Sequence, residues 1–190
     1  LDVLREPLES GRIVISRAAR QSEFPARFQF VAAMNPCPCG YAGDPSGRCR
    51  CSGDVLARYR SRLSGPLLDR IDLHVDVPRL PQHELLAAGG DGERSTAVRA
   101  RVIEARRLQL SRNRTSNARL RLPELKQLAA LGVEQRLLIE QAAERLNLSA
   151  RACHRILRVA RTIADIARSD QIQTAHLAEA ISYREVASRR

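Results

Sequence analysis

Phe28-Gln29-Phe30-Val31-Ala32-Ala33-Met34-Asn35-Pro36-Cys37-Pro38-Cys39-Gly40 is the stretch on which the reading of this chain turns. Residues 28–34 are apolar except for Gln29 and read as a strand. Asn35 and Pro36 end it, and two cysteines follow at once. A second pair, Cys49-Arg50-Cys51, closes a window of fifteen residues that holds four of the five cysteines. In a reducing compartment such a cluster reads as metal binding before disulfides. The spacing is C-x-C-x9-C-x-C, unlike the common C-x2-C knuckle. Four thiolates can enclose a tetrahedral zinc at about 2.3 Å. Gly40, Gly43 and Gly47 give a tight loop its backbone freedom. A structural zinc, reduced thiols without metal, and disulfides are the three readings open here. His74, His83, His154 and His176 give no Cys/His pattern beside the cluster, so a catalytic cysteine is disfavoured. Cys153 reads as a small core residue.

Outward from this window, Leu1, Leu4 and Leu8 share a helical face that Gly11 can terminate. Arg12–Ser16 is β-branched and reads as a strand. Together with a return strand at 28–34 it makes a hairpin whose long polar tip carries Arg17 and Arg20. Downstream, Val55, Tyr59 and Leu63 stand at helical spacing. Leu67-Leu68-Asp69-Arg70-Ile71-Asp72 follows. Leu73–Val77 alternates as a strand does, His74 within it, and Pro78 and Pro81 close it.

Residues 79–93, with Ala87-Ala88-Gly89-Gly90-Asp91-Gly92 at their centre, read as a linker. Beyond it the period becomes helical. Helices are expected from about Ser95 to Ser111, over Pro123–Leu131, from about Val133 to Leu146, from an N-cap at Ser149 to Ala167, and from about Thr174 to Glu185. The chain thus divides into residues 1–78, a linker at 79–93, and an all-helical bundle at 94–190.

The formal charge is +11, of which residues 1–80 supply +3 and residues 81–190 supply +8. Such basicity points to a polyanion such as nucleic acid. Lys126 is the one lysine, so the excess of arginine can equally reflect genomic base composition. Aromatic residues make up 3% of the chain, which favours phosphate contacts over base stacking. No run of about 18 apolar residues marks a membrane span, and the first residues lack the layout of a signal peptide. A G-x-x-x-x-G-K-[ST] phosphate loop and an hhhhDE strand are both absent from the sequence.

Met34–Gly40, Leu63-Ser64-Gly65-Pro66-Leu67-Leu68-Asp69-Arg70-Ile71-Asp72, Arg5–Gly11, Leu148–Ala152 and Arg161–Asp165 closely resemble, in order and spacing, the Mg-chelatase-like AAA+ ATPases of the ComM/YifB type. The match covers essentially the whole chain. The resemblance implies an α/β fold: part of a P-loop AAA+ core, with strands of a parallel sheet and a β-hairpin, followed by an all-α lid. The nucleotide-binding loop would lie upstream. It implies a bacterial, cytoplasmic hexameric ring that uses ATP and Mg2+ and acts on single-stranded or branched DNA as a helicase or branch-migration motor, in natural transformation or recombination. No membrane partner is expected, and without the phosphate loop and its magnesium-binding acids this chain alone is expected not to hydrolyse ATP.

Residue by residue, Asn35 resembles sensor 1, whose neutral amide orients the attacking water. Arg70 resembles the arginine finger, which offsets charge developing on a neighbouring subunit's γ-phosphoryl group. From the residues alone, a pairing of Arg70 with Asp69 or Asp72 is the favoured reading. Arg151 resembles sensor 2 and reaches back to the nucleotide of its own subunit, with Arg155 the next candidate. Arg158 completes their helix face; a solvated basic stripe is the plainer reading. The hairpin resembles the pre-sensor-1 hairpin, through which Arg17 and Arg20 would touch DNA; an ordinary exposed loop is the alternative. Cys37, Cys39, Cys49 and Cys51 would hold zinc as a strut between the Asn35 and Arg70 segments. The competing functions are the motor subunit of a magnesium chelatase and a zinc-dependent DNA-binding module without enzymatic activity.

Overall fold

The computed structural model describes the backbone of residues 1–17, 20–80 and 92–188, and side chains as far as residue 184. The chain separates into two compact units, Leu1–Ile71 and the residues from Asp72 onward. Most of the expected 79–93 linker lies outside the described residues.

The first unit opens with a 3-10 turn, Asp2–Leu4, that runs into α1, Arg5–Ser10. Gly11 ends this helix at φ 70°, its N–H donating to the Pro7 carbonyl at 2.9 Å. The left-handed φ is what favours glycine here; a Cβ would also sit 3.1 Å from the Cγ of the exposed Arg27 side chain, which would have to shift slightly. β1, Arg12–Arg17, pairs antiparallel with β2, Arg20–Pro25, in a register from Arg12↔Pro25 to Arg17↔Arg20.

The hairpin is therefore present, but its return strand is Arg20–Pro25, not residues 28–34. The short register exhausts the pairing before Phe28 is reached. Residues 28–34 have no ladder partner among the described residues, and Phe28, Val31 and Met34 are exposed. The expected strand at Leu73–Val77 is also absent. Leu73, Val75 and Val77 point to solvent, while His74 is buried and donates its backbone N–H to the Tyr183 carbonyl at 3.0 Å. Helix contact, not sheet pairing, takes this segment. Among the described residues the sheet is two-stranded and antiparallel, in place of the expected parallel strands.

Two serine-capped helices follow. In α2, Gly53–Arg60, the Ser52 Oγ accepts from the Val55 N–H. In α3, Gly65–Leu68, the Ser64 Oγ accepts from the Leu67 N–H, and Pro66 occupies the first turn. Leu67 is buried at 1% exposure. Ser64 also donates to the Asp2 carboxylate, which ties α3 to the N-terminal turn.

The second unit is helical: α4 Ser95–Asn113, a 3-10 turn Asn117–Arg119, α5 Leu122–Leu128, α6 Val133–Arg145, α7 Ala150–Ile166 and α8 Thr174–Ser188. These follow the helices read from sequence, with shifts at their ends. Ser149 caps α7, accepting from the Ala152 N–H at 3.1 Å. Ala152, Ile156, Ala160 and Ala164 recur every fourth residue and form the buried stripe of α7. With three alanines on that stripe, α8 can approach closely with Leu177, Ala180 and Ile181. Ile172, Ala142 and Ala129 complete the core.

Candidate functional site

The four cysteines expected to bind metal converge. Their Sγ atoms all lie within 4.8 Å of one another. Cys37 and Cys39 stand 3.2 Å apart, Cys37 and Cys49 3.9 Å, Cys39 and Cys49 3.7 Å. Four sulfurs around a zinc ion at the usual bond length are separated by about 3.8 Å, so the donor set fits a tetrahedral zinc. All four are free thiols, which argues against the disulfide reading. The loop achieves this by left-handed turns at Gly40, Gly43 and Gly47.

Backbone amides of the loop face the sulfurs, and the Ala42 N–H donates to the Cys37 Sγ at 3.3 Å. The Tyr41 amide, the Cys37 thiol and the Arg50 amide bring the Cys39 thiol down to about 6. The Cys39 amide acts the same way on Cys51. Even so, that thiol is pushed up to about 11 by its bond to Cys39, by burial, and by the charge on Cys37. Thiolates this close repel one another, and a divalent cation removes that conflict.

Arg70 lies in the open cleft lined by Asp2, Val3, Arg5, Glu6, Glu9 and Ser10. Its partner is neither Asp69 nor Asp72. One terminal nitrogen donates to the Glu9 carboxylate of α1, and the other to the Pro66 carbonyl at 2.7 Å. The Arg70 side chain is 10% exposed. Asp72 instead accepts from Arg155 at 2.7 Å. Arg158, on the same α7 face, is half-buried and donates to the Leu120 carbonyl at 3.0 Å. Burial, the Arg155 charge and, in the opposite sense, Asp72 leave its guanidinium below the ordinary arginine range. Arg151 is exposed on the first turn of α7. The α7 arginines are thus not a uniformly solvated stripe. Asn35 is exposed in irregular backbone two residues before Cys37. Arg17 and Arg20 face each other across the last register pair of the hairpin, both exposed.

Sequence reasoning missed one constellation. The Asp165 carboxylate, 1% exposed, accepts from Arg112 at 2.7 and 3.0 Å, from the Asn117 amide at 2.7 Å and from the Arg161 Nε at 3.1 Å, with the Arg161 Nη2 in ion-pair contact at 3.0 Å. Arg161, equally buried, also donates to the carbonyls of Asp170 and Ser169 at 2.8 and 2.5 Å, just beyond the end of α7. Burial works against ionisation of Asp165. The Arg112 and Asn117 hydrogen bonds and the two guanidinium charges outweigh it and hold the carboxyl below its usual range. The i, i+4 spacing of Arg161 and Asp165 was a visible signal; Arg112 and Asn117, 53 and 48 residues from Asp165, were not.

Two family models match the chain in sequence order. "Magnesium chelatase, subunit ChlI" covers residues 1–85, and "Magnesium chelatase, subunit ChlI C-terminal" covers residues 92–184. The chain is 49% identical over 185 residues to "Competence protein ComM" of Haemophilus influenzae, covering 97% of this chain and 36% of that protein. It is 47% identical over 187 residues to "Uncharacterized protein YifB" of Escherichia coli, covering 98% of this chain and 36% of that protein. An uncharacterized protein of Mycobacterium tuberculosis is 40% identical over 194 residues, covering 100% of this chain and 38% of that one. The chain spans little more than a third of the length of these curated relatives. Both of its halves are matched, in order and at high identity, and the chain belongs to the Mg-chelatase-like proteins of the ComM/YifB type.

Proposed function

We propose that this chain is the sensor-1 part of an AAA+ ATPase core together with its helical lid, from a bacterial cytoplasmic motor that acts on DNA. The observation that carries this reading is the identity to a competence protein across nearly the whole chain. The working form would be a ring, hexameric as in the family it resembles, fuelled by ATP and Mg2+. Its substrate would be single-stranded or branched DNA met during transformation or recombination. The basic charge of +11 supports a polyanionic partner.

In this reading Asn35 orients the attacking water on its own subunit's nucleotide. Arg70 completes the site of the neighbour by meeting charge as it develops on the γ-phosphoryl group. Arg151, with Arg155, carries the state of the nucleotide into the lid. Arg17 and Arg20 contact the DNA backbone. The four cysteines hold a zinc ion whose contribution is structural: it fixes the loop between the Asn35 and Arg70 segments. Residues 1–78, the linker 79–93 and the lid 94–190 are the working divisions. A second reading, the motor subunit of a magnesium chelatase, is favoured by the description of both matching family models.

The test uses the full-length protein. ATP turnover should require Arg70, rise with forked or four-way DNA, and accompany DNA binding that weakens steeply with salt. The isolated 190-residue chain should turn over no ATP. Turnover by the isolated chain, or a full-length protein indifferent to DNA, would overturn the proposal; the second result would favour the chelatase reading.

A further inference from the structure

We propose that Glu9 is the residue that positions Arg70 for catalysis. This rests on the reading of Arg70 as a finger and adds a partner to it. A guanidinium has five N–H donors in one rigid plane. In Arg70 two of them are committed, one to the Glu9 carboxylate and one to the Pro66 carbonyl. The Nε is buried and makes no hydrogen bond. Two anchors on different terminal nitrogens fix the plane of the group. One N–H on each terminal nitrogen remains, and those two can grip a phosphate oxygen without further reorganisation.

The two anchors are not equivalent. Pro66 lies four residues from Arg70, on α3, so its carbonyl moves with the finger. Glu9 lies 61 residues away, on α1. It therefore ties the finger to a separate element of the same unit. The helix that carries Glu9 ends at Gly11, whose left-handed φ turns the chain into β1. Glu9 is thus one residue before the C-terminus of a helix that leads directly into the hairpin. The Arg70 side chain is largely covered, at 10% exposure, while Glu9 at 42% stays open to solvent. A fully solvated pair would hold neither partner in one geometry.

The experiment is ATPase kinetics of the full-length protein carrying Glu9→Ala, Glu9→Gln or Arg70→Ala. Glu9→Ala should lower kcat about tenfold or more while leaving KM for ATP unchanged, because the nucleotide is bound by the neighbouring subunit. Glu9→Gln keeps an acceptor at the same reach and should recover most of that loss. In mixed assemblies, subunits carrying Glu9→Ala should depress turnover at their wild-type neighbours, which a defect confined to the variant's own nucleotide site would not do. If Arg70→Ala is inactive while Glu9→Ala keeps its wild-type kcat, the positioning role is wrong and the finger reading stands. A Glu9→Ala defect that appears in KM, or that Glu9→Gln fails to recover, also overturns it. If Arg70→Ala is itself fully active, the finger reading fails first.

Discussion

Replacing Asp165 with asparagine should be among the most damaging single changes to the helical unit. The carboxylate collects donors from two arginines and one amide while 1% exposed. Asparagine keeps one acceptor and turns the other position into a donor, aimed at groups that already donate. Arg161, itself 1% exposed, and Arg112, 27% exposed, then lose their counter-charge. Removing one partner of a buried ion pair costs about 3–5 kcal/mol. With a urea dependence of about 2 kcal/mol per molar for a unit of this size, the midpoint should fall by about 2 M. Equilibrium urea unfolding of this chain, followed by its helical signal, measures this directly. The pH dependence gives an independent check. Asp165 titrates lower in the folded chain than in the unfolded one. Its contribution is therefore complete above the ordinary aspartate value of about 3.9, and is lost as pH falls through the lower folded value. The gap between wild type and Asp165→Asn should be flat at neutral pH and close below about pH 4. A midpoint shift under about 0.5 M, or a gap independent of pH, would refute the assignment of these bonds.

Two further outcomes follow from the first unit. Metal analysis of the purified protein should find about one zinc per chain, and X-ray absorption should show sulfur neighbours at about 2.3 Å. Cys49→Ser with Cys51→Ser should abolish that zinc; absence of zinc from the wild-type protein would remove the metal. In the full-length protein, Arg17→Ala with Arg20→Ala should reduce the salt slope of DNA binding by about one unit per lost phosphate contact, and an unchanged slope would place the DNA elsewhere.

The helical unit was legible in the sequence because its signals are local. A serine cap, a four-residue alanine and isoleucine stripe, and a proline at a first turn each act within one helix. The cysteine cluster was legible for a similar reason: fifteen residues with three left-handed glycines leave the thiols few other places to go. The strands were less so. Residues 28–34 carry a buried-strand pattern, yet a strand exists only where another chain segment supplies hydrogen bonds, and pairing is not written in the segment itself. At Leu73–Val77 the alternation suits a strand, yet the segment is held by a contact between His74 and the distant Tyr183, and His74 is the residue that is buried. Charge partners were the least legible of all.

That last point bears on the candidate site. By proximity in sequence, Arg70 should pair with Asp69 or Asp72, and such a local pair would be an ordinary surface contact. Asp72 goes instead to Arg155, 83 residues away, and Arg70 goes to Glu9, 61 residues away. Both arginine side chains are largely covered, at 10% and 14% exposure, and each leaves a buried Nε without a hydrogen bond. Such a geometry is poor value as a source of stability. Covering a guanidinium sacrifices hydration that a single carboxylate does not fully replace, and an unpaired buried N–H adds a further penalty. A leucine or methionine of similar volume would fill either place at lower cost. The arrangement makes physical sense where the guanidinium itself is needed, held in one orientation with donors to spare. Under the proposed function, Arg70 is the finger and Arg155 the candidate next to Arg151; Arg5, Arg158 and Arg184 also bury an Nε without a hydrogen bond, so it is the long-range pairing that sets Arg70 and Arg155 apart. Their long-range pairing is a structural reason, separate from the sequence match, to test the proposed chemistry there.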